Sequence, residues 1–155
     1  TLVDDTHIYV GDYTMIGPNV TIASAGHPIL PELREKGYQY NMPVHIGKNC
    51  WINQQVTIGH SDASHCPYIG DNVSIKARAK IIGDVTIGND VIVGTNAVVV
   101  KDVPDHSIVA GVPARVIKTR NSVDEPWVRV KYNNNYEDCI HFILAYSRCG
   151  FLLST

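Results

Sequence analysis

The stretch IGDNVSIKARAKIIGDVTIGNDVIVGTNAVV (Ile69–Val99) decides the fold, because an aliphatic residue returns at every sixth position: Ile69, Ile75, Ile81, Ile87, Val93 and Val99. Working outward, the same period runs through two earlier series, Val10–Ile16–Ile22 and Ile46–Ile52–Ile58. Two positions before most of these stands a second small or β-branched residue, among them Thr14, Val20, Cys50, Val56, Val73, Ala79, Val85, Val91 and Ala97. A glycine often follows the aliphatic one, as at Gly11, Gly17, Gly47, Gly59, Gly70, Gly88 and Gly94. Such a period marks an all-β parallel β-helix, in which each repeat buries its face only by stacking on its neighbours. β-Branched side chains suit these tightly stacked surfaces. The glycines are read as corner residues that supply positive φ. An antiparallel sheet would instead alternate with period two and carry hairpin turns.

Three hexapeptides make one triangular coil, so the coils are Val10–Ile22, Ile46–Ile58, Ile69–Ile81 and Ile87–Val99. Both interruptions then follow the third face, which places them at one corner of neighbouring coils. The gap from Ile22 to Ile46 is a multiple of six, but a coil there would point Pro28, Arg34 and Tyr40 inward. Burying an unpaired arginine is costly, so residues 23–43 are read as an extended loop. The second interruption, residues 59–68 within GHSDASHCPYIG (Gly59–Gly70), is shorter and polar. His27 lies in the first loop, and His60 and His65 in the second, so the corner argument brings them near one another. Long loops on a rigid solenoid are common binding elements. His45 precedes inward Ile46 and is read as facing outward, while nothing around His7, His106 or His141 marks them.

The length of 155 residues fits one domain. A net charge of -2 lacks the clustered basic surface of a nucleic-acid binder. No apolar run is long enough to span a bilayer, and the first residues do not read as a signal peptide. The four cysteines, Cys50, Cys66, Cys139 and Cys149, form no disulfide framework, which points to a reducing, cytoplasmic setting. Cys50 sits at an inward position and reads as a small core residue. The chain begins at Thr1 rather than methionine, which suggests trimming or preceding residues. After Val99, VKDVPDHSIVAGVPARVIK (Val100–Lys118) ends the period and closes the solenoid, giving a β-helix over 1–118 and a tail over 119–155. Within that tail CIHFILAYSRCGFLL (Cys139–Leu153) reads as a short helix capping the solenoid.

These residues resemble the hexapeptide-repeat (left-handed β-helix) acyltransferases. YTMIGPNVTIASAGHPILPELREKGYQYNMPVHIGKNCWI (Tyr13–Ile52), with its GHP, PELR and MPVHIG elements, looks like the galactoside, maltose and nodulation sugar O-acetyltransferases. Residues 53–118, ending in AGVPARVIK (Ala110–Lys118), look more like serine acetyltransferases and their capsule-cluster relatives. The resemblance implies acetyl-CoA as donor and no metal. It also implies a homotrimer with its active site between subunits, and a sugar, serine or capsular-precursor acceptor. It makes His27, the histidine of GHP, the general base. Imidazole, with an unperturbed pKa of about 6.5, is ready near neutral pH to take a proton from an attacking hydroxyl. Asp5 matches a substrate-contacting acid, and His65 an acceptor-binding or second basic histidine. For the donor the matching residues are Thr95, Lys101, Arg115 and Lys118. Trp51 flanks cofactor or acceptor, or fills a subunit interface. Both families favour small residues where this chain has KARA (Lys76–Ala79), so Lys76 and Arg78 either crowd the donor or hold its phosphate.

Three other readings compete. IGHSDASHCPYIG (Ile58–Gly70) resembles the γ-type carbonic anhydrases, which would make His60 and His65 zinc ligands with His27 or His45 as the third. Cys66 as a covalent acyl carrier would need an activated thiolate, and nothing in the sequence marks one. The composite pattern also admits a non-catalytic scaffold.

Overall fold

The three aliphatic series become the three faces of a triangular prism. In the computed structural model, which describes residues 1–3, 6–60 and 65–131, regular structure is almost all short parallel strand. Val10, Ile46, Ile69 and Ile87 align on the first face. Ile16, Ile52, Ile75 and Val93 align on the second, and Ile22, Ile58, Ile81 and Val99 on the third. The coils therefore divide where the period divides them. Ile22, Ile52, Ile58, Ile69, Ile75, Ile81 and Ile87 are fully buried. Each contributes about 1.5–3 kcal/mol relative to exposure. Cys50, Val73 and Val91 fill the next inward row, as do Val56, Ala79 and Ala97. The first coil has little above it: Val10 and Ile16, inward by register, are 46% and 44% exposed.

The glycines act differently from the sequence expectation. Gly11, Gly17, Gly47, Gly59, Gly70, Gly88 and Gly94 do not have positive φ. Their hydrogen atoms face a neighbouring coil, the next one for most and the preceding one for Gly59. A Cβ at Gly11 would lie 2.6 Å from the carbonyl carbon of Gly47, and one at Gly47 would lie 2.6 Å from that of Gly70. Coils separated by the sheet spacing of about 4.8 Å leave no room for a side chain there. Positive φ instead falls on residues three positions after the inward aliphatic: Tyr13, Asn19, Asn49, Gln55, Asn72, Arg78, Asp90, Asn96 and His106. Asparagine and aspartate tolerate that conformation better than most residues. The N–H groups of Asn49, Asn72, Asp90 and His106 each donate to a carbonyl of the preceding coil at 2.9 Å.

Both interruptions leave from the corner after the third face, because Ala23, Gly59 and Ile82 are aligned. The first is more ordered than an extended loop. Strand Ala25–Gly26 pairs antiparallel with Tyr40–Asn41, and a one-turn helix, Pro31–Glu35, lies between them. Arg34 is exposed, and its guanidinium donates to the carbonyl oxygens of Pro28, at 2.8 Å, and of Ile29. The cost of burying it is avoided, as the sequence argument required.

At the other end the stacking outlasts the sequence period. Val103 bridges to Ile87 and Val109 aligns with Val93, both buried, so two further faces follow Val99. The spacing from Val99 to Val103 is four because this corner is short, and that shift hides the continuation. Strand Ser107–Gly111 then turns into the antiparallel strand Ala114–Thr119, which pairs with Val128–Arg129. Lys118, taken from the sequence as the end of the solenoid, thus lies inside a strand, and the chain beyond it folds back onto the same sheet. The helix expected over Cys139–Leu153 lies outside the described residues.

Asp90 fastens this hairpin to the coil. Its carboxylate accepts from Arg120 Nε at 2.7 Å and from His106 Nδ1 at 2.9 Å, and the Arg120 guanidinium lies 4.2 Å from the Trp127 ring centre. Burial pushes Asp90 up, but the hydrogen bonds and charges of Arg120 and His106 outweigh it and hold the carboxyl below its ordinary 3.8. A depressed folded pKa gives stability that is present above the unfolded value and lost as pH falls through the folded one. Asp90→Asn should therefore lower stability by about 1–3 kcal/mol at neutral pH. Thermal melts should show that difference shrinking as pH falls below about 4, where the unfolded chain begins to take up the proton, and vanishing once the folded carboxyl, held lower, is protonated too.

Candidate active site

One edge of the prism collects the chemistry. The corner after the third face carries the 23–43 loop on the first coil and the 59–68 loop on the second, Asp84 on the third and Lys101 on the fourth. His27 directly follows strand Ala25–Gly26 and is exposed, whereas Gly26 before it and Pro28 after it are buried. Among the described residues the His27 imidazole has no hydrogen bond or ion pair. Its backbone is held on both sides while its ring is left free.

The second loop comes up beside it. His60 Nε2 lies 2.9 Å from the carbonyl oxygen of Ala25, and its Nδ1 is buried without a partner among the described residues. His65 Nδ1 faces Asp84 Oδ2 at 3.3 Å, and both side chains are largely exposed. His65, Cys66, Tyr68, Met42 and Asp84 line a groove of about 250 Å³. His45 faces outward as expected and stacks on Tyr9, with ring centres 4.5 Å apart. His60 and His65 are thus turned to different partners. Among the described residues no group of three or more His, Cys, Asp or Glu comes together in a way that could hold a metal ion. Cys66 is buried against the core; burial pushes its thiol above the ordinary value of 9.0, and the backbone hydrogen bond of His60 offsets this only in part. It is a poor thiolate, so the acyl-carrier reading loses its nucleophile.

Of the residues expected from the sequence to bind the donor, the fold brings two together. Lys101 and Arg115 line a groove of about 310 Å³ at the C-terminal end, with Asp102, Val103 and Val116. Thr95 follows Gly94, which packs on Ala110, the strand partner of Arg115. Lys118 lies instead in a separate hollow of about 560 Å³ with Trp127 and Arg129. Trp51 is on the outer row of the second face, 53% exposed, with Lys76 Nζ 4.9 Å from its ring centre. Arg78 Nε donates to Gln55 Oε1 at 2.7 Å. Lys76 and Arg78 therefore lie along the preceding coil. Asp5 lies outside the described residues. Sequence reasoning missed Asp84 as the partner of His65 and His60 as a contact of the GHP loop. The signal for His60 was the alignment of Ala23 with Gly59, which sets His60 beside Ser24 and Ala25.

Residues 66–101 match the family model described as bacterial transferase hexapeptide (six repeats). The solenoid is a left-handed β-helix of hexapeptide repeats. The chain is 36% identical over 125 residues to a galactoside O-acetyltransferase of Escherichia coli, covering 81% of this chain and 50% of that protein. It is 38% identical over 101 residues to a serine acetyltransferase of Staphylococcus xylosus, covering 59% and 47%. A hexapeptide-repeat acetyltransferase of Vibrio cholerae, solved with acetyl coenzyme A, aligns with a TM-score of 0.51 and 26% identity over 78% of this chain and 54% of that one. The chain spans about half the length of these curated relatives.

The state of Cys66 is open to a direct check. Alkylation by iodoacetamide at neutral pH, mapped by mass spectrometry, should be slow at Cys66 in the folded protein and at least tenfold faster after denaturation.

Proposed function

We propose that this chain is an acetyl-CoA-dependent O-acetyltransferase whose acceptor is a sugar hydroxyl. The observation that carries the reading is the placement of His27. It is an exposed imidazole on a rigid backbone, on the same prism edge as the groove lined by Lys101 and Arg115. The two lie three coils apart, about 14 Å at the strand spacing, a distance suited to a long donor that anchors its phosphates at one end and presents its thioester at the other. The flexible cations of that groove suit nucleotide phosphates.

In the proposed step, His27 takes the proton from the acceptor hydroxyl as its oxygen attacks the thioester carbonyl carbon. The carbon–sulfur bond then breaks, and the leaving thiolate takes that proton, so the products are the acetyl ester and the free thiol. Such a base contributes about 10²–10⁴-fold in rate. Backbone N–H groups at the loop corner are the donors proposed for the oxyanion. A homotrimer is proposed, in which the neighbouring subunit lies beside the exposed His27 ring and completes the site. His65, oriented by Asp84 above its groove, is proposed to bind the acceptor. Cys50 and Cys66, buried and unbridged, support a reducing, cytoplasmic setting. L-Serine is the second acceptor reading, favoured by the similarity to serine acetyltransferases.

Thiol release from acetyl-CoA should be detected with galactosides or maltose, and compared with serine. His27→Ala should lower kcat by about 10²–10⁴-fold while acetyl-CoA binding persists. Undiminished turnover in that variant would remove His27 from the step. Arg115→Ala should instead raise the KM for acetyl-CoA, about tenfold for each 1.4 kcal/mol of lost binding, with kcat little changed.

A further inference from the structure

The GHP element contains a glycine whose reason lies in the other loop. A Cβ built on Gly26 would overlap Nε2 and Cε1 of the His60 ring. The imidazole occupies the volume that any side chain at position 26 would need. The same ring makes a hydrogen bond to the peptide before Gly26. A carbonyl oxygen only accepts, so His60 Nε2 carries the proton and donates it to Ala25 at 2.9 Å. Its other nitrogen is buried. His60 has a firm base for this, because Gly59 before it pairs with both Ala23 and Ile82 on the third face.

We infer that His60 is a positioning residue for His27, clamping the root of the loop that carries it. This rests on the reading of His27 as the base. The clamp works from one side of the Ala25–Gly26 segment, and strand Tyr40–Asn41 holds the other. Beyond His27, Arg34 Nη1 donates to the Pro28 carbonyl at 2.8 Å and ties down the following residue. The segment Gly26–His27–Pro28 thus lies between two fixed peptides, and His60 supplies the only side-chain hydrogen bond found to the first of them among the described residues. A base must be held within about 0.5 Å of its productive position, and a displacement of 1 Å costs about 10²-fold in rate. The glycine of GHP and the histidine of IGH form one device. The first is absent a side chain so that the second can press on its backbone.

The test compares purified folded variants in the acetyl-CoA thiol-release assay. His60→Ala should lower kcat by about 10–100-fold and leave the KM for acetyl-CoA near wild type, since the Lys101–Arg115 groove is remote. His60→Gln, whose amide nitrogen reaches the same carbonyl, should recover most of the loss. Gly26→Ala should be severely impaired in the wild-type background and much less so with His60→Ala, a non-additivity that a direct clash requires. The clamp is also read without turnover. Trypsin should cut after Arg34 and Lys36 faster in His60→Ala than in wild type, and at the wild-type rate in His60→Gln. Inactive wild-type protein, or an active His27→Ala, would reject the base assignment, leaving the clamp to be decided by proteolysis. Wild-type kcat in His60→Ala with activity lost in His27→Ala would reject the positioning role alone. Unchanged proteolysis, or additive effects of Gly26→Ala and His60→Ala, would reject the clamp.

Discussion

Everything in this molecule depends on the close vertical stacking of successive coils. Each inward isoleucine or valine is covered by the one above and the one below, so burial is a property of the pile and not of any single repeat. The first coil makes the point by its exception, since Val10 and Ile16 point inward yet stay nearly half exposed. The same spacing accounts for the glycines. They stand where one backbone passes over another too closely for a Cβ, and the left-handed corner conformation is borne instead by Asn49, Asn72, Asn96 and their equivalents.

A structure built this way offers few places to insert chain. Lengthening a face would put its strand out of register with the coils above and below, whereas a corner loop leaves every strand in register. Both insertions depart from one corner on neighbouring coils, so their residues meet even though His27 and His60 are 33 positions apart in the chain. The consequence is a division of labour along a single edge. Rigid faces set the height of each residue, and the loops set how far it projects. His27 projects freely, His60 turns inward to hold the loop root, and His65 is turned toward Asp84. At the far end the hairpin carrying Arg115 is brought beside Lys101 because Asp90 binds Arg120 and anchors the returning chain.

Much of this was legible beforehand. The period identified the faces, their registers and the corner from which both loops leave, since a constant interval translates directly into stacked columns. Arg34 correctly excluded a further coil, because a lone guanidinium has no place in an aliphatic core. The end of the solenoid was less legible. The interval from Val99 to Val103 is four, so the sequence period stops there although the stacking continues through Val109. The pairing of the chain after Lys118 with its own preceding strand leaves no periodic trace.

The sequence by itself determined the three-sided coil and put His27 on its edge, because both follow from local intervals repeated many times. Tertiary structure alone decided which side chains meet across those intervals: His60 over Gly26, Asp84 with His65, and Arg115 with Lys101 but apart from Lys118. Such meetings are set by where each side chain turns once the backbone is stacked. Residues far apart in the chain and close in space carry no common period from which that could be read.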